Sequence, residues 1–321
     1  MNIIVNNVIT CINTPNNIKD KIASELTIAN PAYAKAQMLN FSTWNIPKTI
    51  KFFDTDNKNL ILPRGYGRRL LQLLKDNYIQ YTMDTSGILE LPTISFNSNI
   101  TLRDYQQPIP NIIVKNKNGC IILPCGGGKT SSAIHTISVI AQPAIWLTHT
   151  IDLLNQSLEC AKRGLGLTEG QYGIINGKTN SIGTHITFAT IQTLANRDLT
   201  DIVNKFGTIV IDEVHKTFMN EKSAAQFESV IKQFPGKYRI GLTASEHRSD
   251  GLSDSMYHLI GPKLYFVSQA MLQAKGNVTT PTIHFINTDF IFDKEPGKMI
   301  EFSKMIKAMS NDYKRNNLLI K

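Results

Sequence analysis

The chain has 321 residues, 42% of them apolar, and carries 34 Lys and Arg against 25 Asp and Glu, a net charge of +9. That is ordinary for a globular protein with room for two domains; no apolar run reaches the eighteen residues of a membrane span, and Met1 to Asn7 lacks the basic and apolar regions of a secretory signal. The four cysteines (Cys11, Cys120, Cys125, Cys160) show no C-x-x-C spacing, so neither a zinc site nor a disulfide framework is indicated and a reducing cytoplasm is expected.

The first hundred residues read as short strands and helices. Ile3-Ile4-Val5 and Val8-Ile9-Thr10 are strand-like runs split by the turn residues Asn6-Asn7, and Ile18 to Leu26 has helical spacing. Thr49 to Phe53 is a further strand, Asp54-Thr55-Asp56-Asn57 a turn, and Leu60-Ile61-Leu62 a strand. Gly67 to Tyr78 fits a helix with Leu70, Leu71 and Leu74 on one face and Arg68, Arg69 and Lys75 open to solvent. A linker over Leu91-Pro92 to Asn99 separates this small α+β module from the next unit.

From about Ile100 the pattern is strand, loop, helix, repeated. Buried strands are expected at Cys120–Leu123, Ala144–Thr148, Ile186–Thr190, Thr208–Asp212 and Arg239–Thr243, with helices over Thr130–Ile140, Ile151–Ala161 and Ser223–Phe234. Short apolar strands alternating with helices argue for an α/β fold with a parallel sheet covered on both faces, whose ligands bind at the carboxyl ends of the strands.

Two such strand ends carry chemistry. After Cys120–Leu123 comes Pro124-Cys125-Gly126-Gly127-Gly128-Lys129-Thr130, which leads into the helix expected over Thr130–Ile140. Glycines let the backbone curl around phosphate oxygens, the helix N-terminus adds partial positive charge, and Lys129 supplies a cation. The loop departs from G-x-x-x-x-G-K-[ST] in one respect, since Leu123 stands where the first glycine belongs. At the other strand end, Asp212-Glu213 places two carboxylates after Thr208 to Ile211. Thr130 and Asp212 then suit a Mg²⁺ ion and Glu213 the orientation of an attacking water, the two halves of a Mg-nucleotide site. The sequence contains a second Gly-Lys-Thr, Gly177-Lys178-Thr179, but Ile174-Ile175-Asn176-Gly177 before it reads as a hairpin turn and no helix comes after it.

Several segments in order resemble a known family. Asp212-Glu213-Val214-His215 resembles the DExH box of superfamily-two helicases and translocases, and Thr243-Ala244-Ser245 their motif III, which couples nucleotide site to nucleic-acid site. Thr101-Leu102-Arg103-Asp104-Tyr105-Gln106 resembles the Leu-Arg-x-Tyr-Gln segment of the XPB, type III restriction and phage-helicase branch, which implies that Gln106, with Arg103 beside it, reads adenine. Thr148-His149-Thr150 resembles motif Ia, Thr190-Ile191-Gln192-Thr193-Leu194 the T-x-Q-x-L motif, and Gly241 to Gly251 the GLTATPxRxDG stretch. In the last, Arg248 and Asp250 match the charged ends of an Arg-x-Asp element implicated in unwinding, while Ser249 replaces its acidic middle residue. Asn40 to Trp44, Thr49 to Phe53, Leu62-Pro63-Arg64-Gly65 and the helix to Tyr78 are similar to the front domain of UvsW-like phage repair helicases.

The resemblance implies three parts: residues 1–95, a small DNA-binding accessory domain; 96–278, the first RecA-like ATP-binding domain; and 279–321, a bridge and the start of a second, truncated one. It implies a P-loop NTPase with Lys129, Asp212, Glu213 and His215 in catalysis and Leu123 to Ser131, Arg103 and Gln106 around the nucleotide. Thr148, His149, Thr190, Gln192 and Arg248 match positions that meet the DNA backbone, where contacts are sequence-independent and salt-sensitive. Arg64, Arg68 and Arg69 beside Tyr66 suit a duplex contact; a solvated helix face is the competing reading. The expected activity is ATP-dependent remodelling of branched or duplex DNA in recombination or repair, in a bacterial cell or phage-infected host. Two alternatives stand beside it: the motor subunit of a restriction complex with a nuclease partner, and a non-enzymatic, ATP-linked DNA-binding module.

Overall fold

In the computed structural model, which describes residues 1–56, 59–218, 221–245, 253–279, 282, 284–292 and 301–319, the chain opens with short paired strands. β1 (Asn2–Val5) and β2 (Ile9–Ile12) form an antiparallel pair across the Asn6-Asn7 turn, and α1 (Asn16–Glu25) buries Ile18 and Ile22. β3 (Thr27–Ala29) and β4 (Thr49–Lys51) pair around α2 (Pro31–Met38). Asp54–Asp56, expected as a turn, is instead strand β5, paired with β6 (Asn59–Leu62). Its side chains are all exposed, so the ladder rests on backbone hydrogen bonds that no hydrophobic pattern announces. α3 (Gly67–Asp76) buries Leu70, Leu73 and Leu74, and β7 (Thr82–Asp84) completes a sheet in the order β5-β6-β2-β1-β7.

The larger sheet has seven strands, all parallel, in the order β10-β11-β9-β12-β13-β8-β14. Chain order gives α4 (Pro108–Asn116), β8 (Asn118–Ile122), α5 (Lys129–Ile140), β9 (Ala144–Thr148), α6 (Ile151–Leu165), β10 (Tyr172–Ile175) and β11 (Ile186–Thr190). Then come α7 (Ile191–Ala195), β12 (Thr208–Ile211), α8 (Glu221–Ile231), β13 (Tyr238–Thr243), α9 (Ser253–Ile260), β14 (Lys263–Phe266) and α10 (Gln269–Ala274). Strands β9, β11, β12 and β13 are buried along their whole length, as strands covered on both faces must be. This is the RecA-like α/β sheet. Helix boundaries obey local chemistry: the Thr150 hydroxyl caps α6 by accepting from Leu153 N–H, and Gly166 ends it with a left-handed φ of 60°.

The front module and this sheet share one apolar core. Ile3, Leu60, Leu62 and Leu74 pack in the same cluster as Ile145, Leu147, Ile211, Phe227 and Leu259, while α4, α5 and α6 close a second cluster around Trp146 and Val210. Two buried arginines pin the contact. Arg64, 5% exposed, donates to the carbonyls of Pro235, Gly236 and Lys237, and Arg239, 1% exposed, donates to those of Asn7, Ile231, Phe234 and Leu259. Burial pushes the Arg64 guanidinium down to about 10 and Arg239 well below its ordinary value. The module thus sits at the amino ends of the strands, the edge opposite the motif-bearing loops.

The stretch expected as a free linker is a strap. Leu91 N–H donates to Gln142 Oε1, Ile94 N–H to Ala141 O and Asn99 N–H to Gly164 O, and the Phe96 ring meets His185 edge-on. Met1–Val278 packs as one compact unit and Thr279–Lys321 as another. In the second, α11 (Phe302–Asn311) stops at Asp312, whose carboxylate accepts from Arg315 N–H and starts α12 (Tyr313–Leu319). Among the described residues no helix is long and apolar enough to cross a membrane.

Candidate nucleotide site and its surroundings

The glycine loop connects β8 to α5 and is shaped by two left-handed residues, Gly126 and Gly128, both at φ 75°. Gly127 N–H turns back to Pro124 O at 2.9 Å. Gly128 stands at the helix N-cap and has no side chain to cap it, so the first-turn N–H groups of Lys129, Thr130 and Ser131 face outward as donors. They line a cavity of about 360 Å³ together with Cys125, Gly126, Gly128, Asp212 and Glu213. Leu123 and Pro124 stay behind the loop, where Leu123 N–H bonds Thr243 O and fixes β8 to β13.

The carboxylates enter from β12. Asp212 is 4% exposed; burial first, and then Glu213 beside it, raise its pKa above the ordinary carboxylate value. Its Oδ2 accepts from Ser157 Oγ at 3.4 Å, and its Oδ1 accepts from Glu213 N–H at 3.0 Å. Glu213 itself adopts φ 49°, a left-handed conformation that costs a non-glycine residue about 1–2 kcal/mol. That strained turn aims its carboxylate two ways. Oε1 lies 3.5 Å from Lys129 Nζ and Oε2 lies 3.2 Å from His215 Nδ1. His215 Nδ1 is in turn 2.9 Å from Thr243 Oγ1, and Thr243 Oγ1 donates to Ser245 O at 2.9 Å. Lys129, Glu213, His215, Thr243 and Ser245 therefore form one polar chain from the phosphate loop to the strand end of β13, with Ala244 between its last two members.

This donor set fits a Mg²⁺ ion. Magnesium is commonly held by one or two carboxylates plus substrate phosphates, and Asp212 and the Thr130 hydroxyl face the same cavity as the loop; no larger cluster of His, Cys, Asp and Glu occurs among the described residues. A second carboxylate one residue away leaves Asp212 in want of a cation.

Gln106 occupies a different place from a residue open to solvent. It is 4% exposed, its Nε2 donates to Gly127 O at 2.8 Å, and its Oε1 accepts from Arg103 N–H at 2.9 Å. Tyr105 Oη also donates to Gly127 O, and Arg103 donates to Tyr105 Oη. The whole segment buttresses the phosphate loop from behind. Sequence reading missed the far wall of the cavity: Leu153, Gln156, Cys160 and Arg163, one face of α6 at helical spacing. The 3.6-residue period was visible, but the face it presents to the loop was not.

Residues 99–248 match the family Type III restriction enzyme, res subunit. Over 195 residues the chain is 33% identical to the DNA 3'-5' translocase XPB2 of Sulfurisphaera tokodaii, covering 60% of this chain and 42% of that protein. Over 184 residues it is 30% identical to the DNA 3'-5' helicase XPB of Mycobacterium tuberculosis, covering 54% of this chain and 32% of that one. Over residues 99–248 the chain is thus similar to DExH helicases and translocases of the branch that holds XPB and the type III restriction subunits. Its fold is similar to the UvsW helicase of bacteriophage T4, with a TM-score of 0.62 at 14% identity over 83% of this chain and 100% of that one. It thus spans less than half the length of these two curated relatives.

The helicase motifs expected to meet DNA are less uniformly exposed than their polarity implies. Thr148 is fully buried and donates to Thr150 O, and Thr190, 5% exposed, is bonded to the Thr193 hydroxyl. Both hydroxyls serve their own loops; Gln192 is exposed. Burial, followed by the nearby charges of Lys216 and His215, pushes His149 down to about 4. Arg248 lies outside the described residues. Arg64 is a correction: it is a buried clamp on three carbonyls and not a surface contact. Arg68 and Arg69 do reach the surface, where Arg69 makes a two-pronged pair with Glu25 and Arg68 bonds Asn116. Tyr66 Oη also donates to Glu25, and these partners hold the Glu25 carboxyl below its ordinary value, with the Arg69 hydrogen bond the largest cause.

Proposed function

We propose that this chain is the nucleotide-binding motor portion of an ATP-dependent DNA helicase or translocase that remodels duplex or branched DNA in recombination or repair. The observation that carries this reading is the unbroken link from Lys129 through Glu213 and His215 to Thr243, beside Asp212. The loop N–H groups and Lys129 hold the phosphates, Thr130 and Asp212 hold Mg²⁺, and Glu213 orients water. When bound, Mg²⁺ supplies charge neutralisation to the phosphate oxygens. A γ-phosphate on the loop competes with Glu213 for Lys129, and Glu213 then becomes a free acceptor for the water proton. Movement of Glu213 is felt at His215 and Thr243, which is how phosphate occupancy reaches the loops beyond β13. The front module is read as an accessory contact for a duplex arm through Arg68 and Arg69.

Two of the similarities favour neighbouring readings. The matched restriction-subunit family supports a motor that works with a nuclease, and a relative from Acanthamoeba polyphaga mimivirus, 27% identical over 220 residues, is named as an RNA helicase. The test compares DNA-stimulated ATP hydrolysis by the protein and by a variant at Glu213. Glu213→Gln is expected to bind Mg-ATP with near wild-type affinity and to lose DNA-stimulated hydrolysis by about a hundredfold or more, on the order of one general-base contribution. Hydrolysis at the wild-type rate would remove Glu213 from the reaction. Stimulation by RNA and not DNA, or a nuclease that co-purifies, would move the proposal to the neighbouring readings.

A further inference from the structure

The loop between α2 and β4 belongs to none of the nucleotide chemistry, and it presents rings to solvent. Trp44 is 92% exposed, Met38 78%, Phe41 59% and Leu39 44%. Its conformation is held by specific bonds. Asn30, 2% exposed, ties the start of α2 to the far end of the loop: its Oδ1 accepts from Ala32 N–H to cap α2, its Nδ2 donates to Pro47 O at 2.9 Å, and its N–H donates to Lys48 O at 2.9 Å. Within the loop, Phe41 N–H donates to Ala36 O, Ile46 N–H to Thr43 O and Trp44 N–H to Ser42 Oγ, and Asn40 takes the left-handed φ of 55° that the bend requires. The stem is anchored to the motor, since the Phe52 ring packs 5.7 Å from that of His258 on α9.

Its charge is one-sided. From Leu26 to Phe53 the sequence has three lysines, Lys35, Lys48 and Lys51, and no carboxylate. A loop fastened by a buried Asn that holds Met38, Leu39, Phe41 and Trp44 toward water presents an apolar patch of the kind that marks an interaction site. Rings with open faces, surrounding cations and no anion match one chemistry above others: unpaired nucleobases, which stack on aromatic faces while their phosphates meet the lysines. Bases in an intact duplex are already stacked on each other and cannot reach such rings.

We propose that Trp44 and Phe41 form a stacking platform for unpaired nucleotides at a fork, bubble or junction, so that the front module senses where strands separate. The inference rests on the nucleic-acid reading above and adds a ligand to a surface which that reading leaves unused.

The chain offers its own probe. It has two tryptophans, and Trp146 is fully buried on β9, so quenching by nucleic acid reports on Trp44. Titration of the full chain with duplexes carrying a single-stranded tail, in DNA and RNA forms, is expected to quench emission saturably; blunt duplexes of equal length are expected not to. Trp44→Phe should keep the affinity and lose the signal. Trp44→Ala with Phe41→Ala should weaken binding to tailed substrates by about tenfold per ring. It should leave the slope of log affinity against log salt unchanged, because no phosphate contact is removed. Blunt-duplex and Mg-ATP affinities should also stay as in wild type. Tailed DNA that binds the double variant as tightly as wild type would overturn the platform while leaving the helicase reading intact. Failure of any nucleic acid to bind would sink both. A loss of self-association in the double variant, seen by sedimentation, would reassign the loop to contact between copies.

Discussion

The same three residues, Gly-Lys-Thr, occur twice in this chain and fold into opposite things. At Gly128-Lys129-Thr130 they come after a buried inner strand and open a twelve-residue helix, and no side chain caps the first-turn N–H groups. At Gly177-Lys178-Thr179 they come after β10, the edge strand, and lie in an exposed turn. There the Asn176 side chain accepts from both Lys178 and Thr179 N–H, at 2.9 and 2.8 Å, and Asn176 N–H closes back on Thr179 O. A phosphate site needs donors that the protein has not already used. The first copy leaves them open and the second consumes them with one asparagine.

The sharpest break of this comparison is at the lysines. Lys129→Ala is expected to lower Mg-ATP affinity by about a hundredfold or more, the order seen when one partner of a mostly buried charge pair is removed, and Lys178→Ala to leave it unchanged. Nucleotide titration of both variants checks this; equal losses would mean that the two loops had been wrongly distinguished. The glycines come next. A Cβ on Gly128 would collide with Gln106 Nε2 in a left-handed backbone, whereas at Gly177 nothing lies within 4 Å. Gly128→Ala should therefore cost about 2 kcal/mol and lower Tm by several degrees, with Gly177→Ala within about a degree of wild type by thermal melting. A smaller effect is expected behind the loop. Gln106→Ala removes one of the two donors to Gly127 O and the acceptor of Arg103 N–H and should cost about 1–2 kcal/mol, measured by denaturant unfolding, with weakened nucleotide binding as the loop loosens. Smallest is Asn176→Ala. Releasing two N–H groups to water at an exposed turn should cost about 0.5–1 kcal/mol and leave nucleotide affinity untouched; any gain of phosphate binding there would show that donors alone suffice without a helix.

What could be read without coordinates tracked burial along single elements. The inner strands β8, β9, β11, β12 and β13 were legible because strands covered on both faces are apolar runs bounded by turns. Strand β14, Lys263–Phe266, and helix α4, which begins Pro108-Ile109-Pro110, were not anticipated. The first is a half-exposed edge with no clean alternation, and the second hides its period behind two prolines that fit a first turn. Arg64 was misplaced for a related reason. A basic residue next to a basic helix looks like surface, and only the carbonyls of Pro235, Gly236 and Lys237, more than 170 positions away, make its burial tolerable.

Fold class, the chain order of the motif-bearing strand ends and the residue types suited to a nucleotide are legible in the amino-acid order, because period, glycine and charge are local properties. Which of those residues touch depends on how distant strands pair. Parallel pairing of β12 with β13 in register, Ile211 opposite Gly241, is what carries the Asp212 turn beside Thr243 and lets His215 join Glu213 to it. Pairing of β13 with β8, Thr243 opposite Ile122, sets the glycine loop against the same edge. Register between distant strands depends on the whole packed sheet, and no local pattern of residues encodes it.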